Sequence, residues 1–187
     1  MQCGCPAGRR PSARSAGCGR LRRAGGAPVN ATSVYHTHRL GNDVMKIAIG
    51  ADHAGYRYKE LLKTALTARG HQVVDFGTDS EAAIDYPPIM RGVAQAVARG
   101  DCERGIVLGG SGNGEAIVAN RQRGIRCTVA WSVDSARAGR AHNDSNVLAL
   151  GERFVKDAEL LPILDVWLDT PFEGGRHKRR IDQIDVP

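Results

Sequence analysis

Residues 105–115 read GIVLGGSGNGE and are followed by AIVANRQ, residues 116–122. Four residues fit a short buried strand, the next seven form a loop with four glycines and a serine, and the segment beyond has helical spacing. A strand that runs through a glycine-rich loop into a helix is the repeating unit of a parallel α/β sheet. Glycines let backbone N–H groups turn toward a ligand, and the helix start adds its positive dipole end, so this loop predicts an anion cradle. At its rim stands Glu115, a carboxylate where a pure phosphate site favours a cation. A base beside a nest of N–H donors suits a reaction that takes a proton and builds an oxyanion.

Outward from this unit the same alternation repeats. KIAIG (46–50) reads as a buried strand, and 56–69 as a helix with Leu61, Leu62, Ala65 and Leu66 on one face and Gly70 as its stop. HQVVDFG (71–77) gives a second strand, and Ile89, Met90, Val93, Ala94 and Val97 form the inward stripe of a second helix. RCTVAW (126–131) is the fourth strand, 135–141 a helix, and NVLALG (146–151) the fifth strand. Asp157 is expected to cap a last long helix through Leu168, with Pro162 kinking it unless the proline falls in the first turn. Such a pattern predicts five parallel strands covered on both faces, with the active site at their carboxyl ends. Asp52-His53, the Gly109–Glu115 loop, His142-Asn143-Asp144, Arg153 and the basic run from Arg176 to Arg180 are all expected to converge there.

The 187-residue chain is 42% hydrophobic, enough for one sizeable core. Its net charge of +6 suggests a nucleic-acid partner until the charge is located. Residues 1–44 hold seven Arg and a single acid, Asp43, while the remainder carries 19 basic and 19 acidic residues and is neutral. With aromatics at only 5%, a stacking surface for single strands is not expected, and no nucleic acid is expected as partner. No apolar run approaches the ~18–20 residues that span a bilayer. Five cysteines, two of them (Cys102 and Cys127) beyond residue 44, do not form a disulfide framework, which points to a reduced, cytoplasmic compartment.

Residues 1–44 show neither helical nor strand periodicity and are expected to be a disordered leader ahead of a domain at 45–187. An upstream extension of a chain whose working start is Met45 is the preferred reading. An Arg-rich transit peptide without its amphipathic face is the second, and a metal site from Cys3, Cys5, Cys18, His36 and His38, whose spacing matches no zinc pattern, is the third.

Other nucleotide and metal chemistries fit less well. Residues 50–55 have the GxxxxG frame of a P-loop but continue Tyr56-Arg57 rather than Lys-Ser/Thr. Glycines at 109, 110, 112 and 114 do not spell GxGxxG, and Asp134, twenty residues beyond, reads as a helix cap rather than a ribose ligand. Asp52, His53, His142 and Asp144 offer no HxH or HxxxH pair, so no metal is expected. Arg176 and Arg180, spaced i,i+4, share a helix face and can hold one phosphate. Together these residues suggest a small phosphorylated substrate undergoing proton transfer.

The motifs IGADHAG (49–55), DYP (85–87), GGSGNGE (109–115), AN with a basic residue (119–121), HND followed by NVLALG (142–151) and GGRHKRRID (174–182) resemble the ribose-5-phosphate isomerase type B family, which also includes galactose-6-phosphate isomerase subunits. One branch of that family places a catalytic cysteine where this chain has Gly109; the other uses the glutamate of GSGNGE, as here. The resemblance implies a Rossmann-like three-layer α/β/α sandwich with a five-stranded parallel sheet and a C-terminal helical tail, forming homodimers whose active sites are completed across the interface without metal or nucleotide. It implies Glu115 as the base between C2 and C1, His142 as the acid that opens the sugar ring, and Asp52 binding the sugar hydroxyls. Gly110, Ser111, Gly112, Asn113 and Gly114 would face the enediolate, with Asn143 a further polar contact, and His53, Arg153, Arg176 and Arg180 would hold the phosphate.

The expected activity is therefore ribose 5-phosphate to ribulose 5-phosphate isomerisation in the pentose phosphate pathway. Isomerisation of another sugar phosphate, a tetrulose 4-phosphate or hexose 6-phosphate, is the alternative, because a phosphate clamp does not report sugar length. A non-catalytic sugar-phosphate sensor is a weaker one, since it has no need of Glu115 and His142. Pro162 and the loop 77–85 depart from the family pattern, and the loop is a candidate for altering substrate choice.

Overall fold

A computed structural model describes residues 44–185. The readings of the leader fall almost wholly outside the described residues. Five strands, β1 (Lys46–Ala51), β2 (Gln72–Asp75), β3 (Arg104–Gly109), β4 (Cys127–Val129) and β5 (Val147–Gly151), form one all-parallel sheet in the order β2-β1-β3-β5-β4. Helices α1 (Tyr56–Ala68), α2 (Tyr86–Ala98), α3 (Asn113–Ala119), α4 (Val133–Asn143) and α5 (Asp157–Asp169) connect or follow the strands, and α6 (Arg176–Ile181) is the expected helical tail.

The two faces of the sheet divide by side-chain size, following the two-residue period of the strands. Ile47, Ile49, Ile106, Leu108, Leu148 and Leu150 point to one face, where they pack with Tyr58, Leu62 and Leu66 of α1 and Leu160, Ile163, Leu164 and Trp167 of α5. Ala48, Val107, Val147 and Ala149 point to the other and meet Met90, Val93, Ala94 and Val97 of α2 and Ala116 and Ala119 of α3. Small residues on that second face let α2 lie close to the strands. From β1 the chain steps to β2 on one side and then to β3 on the other, so the topological switch falls between β1 and β3, where α/β sheets open a ligand crevice.

Several local expectations are corrected. Helix α3 begins at Asn113 rather than Ala116, because Gly112 takes the left-handed conformation (φ 80°) and turns the chain into the helix early; Glu115 thus sits in the first helical turn. Ser132, not Asp134, caps α4, in a reciprocal capping box with Ser135. Asp157 is not the cap of α5, which is Lys156. Its carboxylate is engaged instead by Arg57 (2.8 and 2.9 Å) and by the Tyr58 hydroxyl (2.7 Å). Pro162 falls beyond the first turn, yet α5 continues through it to Asp169. No helix among the described residues is long and apolar enough to cross a membrane.

Candidate active site

At the switch point, the loops after β1, β2, β3 and β5 meet. Asp52 follows β1 and is 8% exposed; its Oδ1 accepts from the N–H groups of Ala54 (2.9 Å) and Gly55 (3.2 Å). This is a tight turn that stops the carboxylate from rotating. The exposed ring of His53 has its Nδ1 facing the Ile84 N–H at 3.4 Å, so loop 77–85 touches the site. An accepting Nδ1 leaves the proton of a neutral imidazole on Nε2, free to donate.

After β3, the Gly109–Glu115 segment folds over the carboxyl ends of β3 and β5. A Cβ on Gly109 would lie 1.8 Å from Glu115 Oε1 and 2.4 Å from its Cδ. The glutamate carboxylate therefore occupies the volume that a side chain at 109 would fill. Arg153, just past β5, lays its guanidinium beside Gly110, where an added Cβ would come within 3.3 Å of it. The Tyr86 hydroxyl stands closer still against Gly114, 2.8 Å from the position of an added Cβ. Ser111 Oγ accepts from the Asn113 N–H at 3.3 Å and helps to close the turn.

Glu115 is 4% exposed, and its Oε2 is buried with no hydrogen-bond partner among the described residues. Burial pushes its pKa up and the nearby Asp52 charge adds to this, while the N–H groups of Glu115 itself and of Gly112 pull the other way; the net shift is upward. A carboxylate so placed can accept and return a proton, and the surrounding backbone can receive charge on oxygen.

The remaining expected site residues are elsewhere. Helix α4 starts at the carboxyl edge of the sheet and must end at the amino edge, because helix and strand run antiparallel in a β-α unit. There, Arg126, just before β4, donates from Nε to Asn143 O at 2.9 Å, and Arg104, at the start of β3, donates to Ser145 O at 3.3 Å. The tail lies over the same edge, with the Glu173 N–H on Ala141 O (3.0 Å) and Asp185 accepting from the Gly124 N–H (3.0 Å). His142, Asn143, Arg176 and Arg180 are therefore separated from Glu115 within one chain. Strand β5 is five residues long, so at ~3.3 Å per residue the edges stand roughly 15 Å apart. The expected convergence of all these loops at one edge is corrected on this topological ground.

At the amino edge the His142 ring stacks on that of His177, with centroids 4.5 Å apart and planes 10° from parallel. The Glu173 carboxylate approaches both, at 3.5 Å from His177 Nε2 and 3.9 Å from His142 Nε2. Tyr86, Glu173 and His177 are the residues sequence reasoning did not single out. Tyr86 lay inside the quoted DYP and His177 inside GGRHKRR; nothing in the local spacing marked Glu173.

A doubly wound parallel sheet with a buried, half-unpartnered carboxylate among backbone donors at its switch point defines an α/β enzyme site built for proton transfer. Residues 47–184 match the Ribose/Galactose Isomerase family. Ribose-5-phosphate isomerase B of Mycobacterium leprae is 44% identical over 140 residues, covering 74% of this chain and 86% of that one. Among solved structures, ribose-5-phosphate isomerase B of Clostridium thermocellum is 48% identical with a TM-score of 0.74, over 75% of this chain and 95% of that one. The Mycoplasma genitalium ribose-5-phosphate isomerase B, solved with bound ribulose-5-phosphate, is 38% identical with a TM-score of 0.72, over 74% of this chain and 93% of that one. The chain belongs to the ribose/galactose isomerase family.

Proposed function

We propose that this chain interconverts ribose 5-phosphate and ribulose 5-phosphate, using Glu115 as the base, in the cytoplasmic pentose phosphate pathway. The observation that carries this reading is the Glu115 carboxylate itself, buried against Gly109 with Oε2 unpartnered. In the open-chain aldose, Glu115 takes the C2 proton, the electron pair moves to form the C1–C2 double bond, and negative charge collects on the C1 oxygen. N–H groups of the Gly110–Gly114 segment face that charge, apart from those of Gly112 and Asn113, which Glu115 and the Ser111 hydroxyl already engage. The hydroxyl proton of C2 is lost to the developing O1, and Glu115 returns its own proton to C1, which leaves the ketose. Asp52 is placed to accept from a sugar hydroxyl, and no metal or nucleotide is required by these steps.

The amino-edge residues enter from a second copy. We assign the ring-opening acid His142, the polar contact Asn143 and the phosphate ligands Arg176 and Arg180 to a partner whose amino edge faces this carboxyl edge, joining His53 and Arg153. Ile84, Ile117, Trp131 and Phe154, each at least 45% exposed, lie on the loops and helix around the carboxyl edge and offer the apolar surface for such a contact. Phosphate held from both chains fixes the sugar so that binding energy away from C1 and C2 aligns the reacting atoms.

Turnover of ribose 5-phosphate by the full chain, with chelator present and Glu115→Gln alongside, tests the reading. Chelator-resistant activity that falls ~10²–10⁴-fold in the variant is expected. Equal activity in the variant removes Glu115 as the base. Phosphorylated-sugar binding without turnover redirects the substrate to four- or six-carbon sugar phosphates.

A further inference from the structure

We propose that His142, Glu173 and His177 form a binding site for a divalent cation of the zinc class, and that occupying it inhibits the enzyme by taking His142 out of use. These three residues come from the end of α4, the link before α6 and the first turn of α6, and one ligand atom from each lies within 4.8 Å of the other two. Stacking of the two rings brings both Nε2 atoms toward the same carboxylate, with Nε2 to Oε2 distances of 3.5 and 3.9 Å. Four-coordinate zinc with bonds of ~2.0–2.2 Å holds its ligand atoms ~3.3–3.5 Å apart and lies in the plane of each imidazole it binds, so the carboxylate must close in and one ring must turn out of the stack.

The backbone at this point is fixed while the carboxylate is free to make that closure. The Glu173 N–H is tied to Ala141 O (3.0 Å), and the His177 N–H to Gly174 O (3.0 Å). Gly174 and Gly175 both take positive φ (66° and 54°), which folds the tail back so that His177 faces His142. The Glu173 side chain is exposed. Two imidazoles and one carboxylate suit zinc and its transition-metal neighbours, whereas calcium and magnesium favour all-oxygen sets. Arg176 opposes the ion: its Nε–H donates to His177 Nε2 at 3.4 Å, a long bond that the metal must displace. Its charge weakens the site, which fits a regulatory affinity rather than a structural one. A fourth coordination position is left for water.

Binding rests on geometry alone; inhibition rests on the isomerase reading, and the two are measured separately. Zinc bound to the full chain is counted by equilibrium competition with a chromophoric chelator, for wild type, Glu173→Gln and His177→Ala. Cysteines and histidines of residues 1–44 are present in all three proteins and cancel in the difference. The expected result is one equivalent whose affinity drops at least ~10-fold in each variant, with cobalt(II) giving a four-coordinate absorption band only in wild type. Zinc is also expected to inhibit ribose 5-phosphate turnover reversibly in wild type and to lose that effect in Glu173→Gln, which substitutes an exposed side chain and keeps its shape. Identical zinc binding in all three proteins overturns the site. Zinc binding lost in the variants with wild-type turnover insensitive to zinc overturns the inhibition. A wild type that binds zinc but never turns over ribose 5-phosphate counts against the substrate reading alone.

Discussion

Glu115 carries a conflict between stability and function. Its upward-shifted pKa means that the native state holds a proton more tightly than the unfolded chain does. Between the unfolded value and the raised folded value, stability falls as pH rises, and above both the full cost of burying the anion remains. Glu115→Gln is therefore expected to raise the thermal midpoint at neutral pH while abolishing most turnover, checked by melting curves at several pH values; the variant's advantage should shrink toward acid. As a base, Glu115 must be ionised, so the acid limb of the wild-type kcat profile is expected above the ordinary carboxylate range. Gly109→Ala tests the same contact sterically. Its methyl would overlap Oε1, and displacement of the carboxylate by even an ångström is expected to lower kcat by ~10²-fold, with circular dichroism confirming that the fold is kept. GGSGNGE made the base and its donors legible from sequence, because loop chemistry is local. The burial of Oε2 and the Tyr86 contact were not, since both depend on chain brought in from elsewhere.

At the scale of elements, the end of β2 is what holds the first site loop in place. Gly77 and Thr78 exchange hydrogen bonds with Ala51 (2.7 and 2.8 Å), immediately before Asp52. The Gly77 N–H is in turn bound by Asp75 Oδ1 at 2.9 Å, and Asp75 Oδ2 lies 2.7 Å from the fully buried Lys59 ammonium. Burial pushes the Asp75 pKa up, but the Lys59 and Lys63 hydrogen bonds outweigh it and hold the carboxyl below its ordinary value. Asp75→Ala is expected to cost about 3 kcal/mol in denaturant unfolding, the lower end for a broken buried pair because Glu60 stays within 3.0 Å of Lys59. Strand and helix patterning revealed the five strands and the first five helices, the tail helix being implied by the family resemblance, and the errors fell at their ends. Caps are decided by one side chain finding one N–H, as with Ser132 and Ser135, and Asp157 was drawn away by Arg57 from a distant helix. The sequence offers no signal for that competition.

The whole molecule places Glu115 and His142 at opposite edges of one sheet. Strand and helix directions were readable from the sequence, and the alternation implied a parallel sheet. That α4 must finish at the edge opposite Glu115 follows from the same alternation, yet the motif residues drew His142 toward the wrong edge. Complementation measures the division directly. Glu115→Gln and His142→Ala chains, each inactive, are mixed, unfolded together and refolded. A site shared between copies predicts that mixed dimers regain one intact site, giving about a quarter of wild-type turnover. A site built within one chain predicts no recovery.

The overlap between Glu115 and the space above Gly109 also limits how such an enzyme can change over evolutionary time. A lineage that moved its base from position 115 to position 109 would push the old carboxylate out of place as soon as the new side chain arrived, because both compete for the same space. The old base would be displaced before the new one was in position to act, so the intermediate ancestor would be a poor catalyst. Such a path needs a duplicate gene, a second isomerase or relaxed selection to cross it, and a chain that has settled on one solution is held there by volume as well as by chemistry.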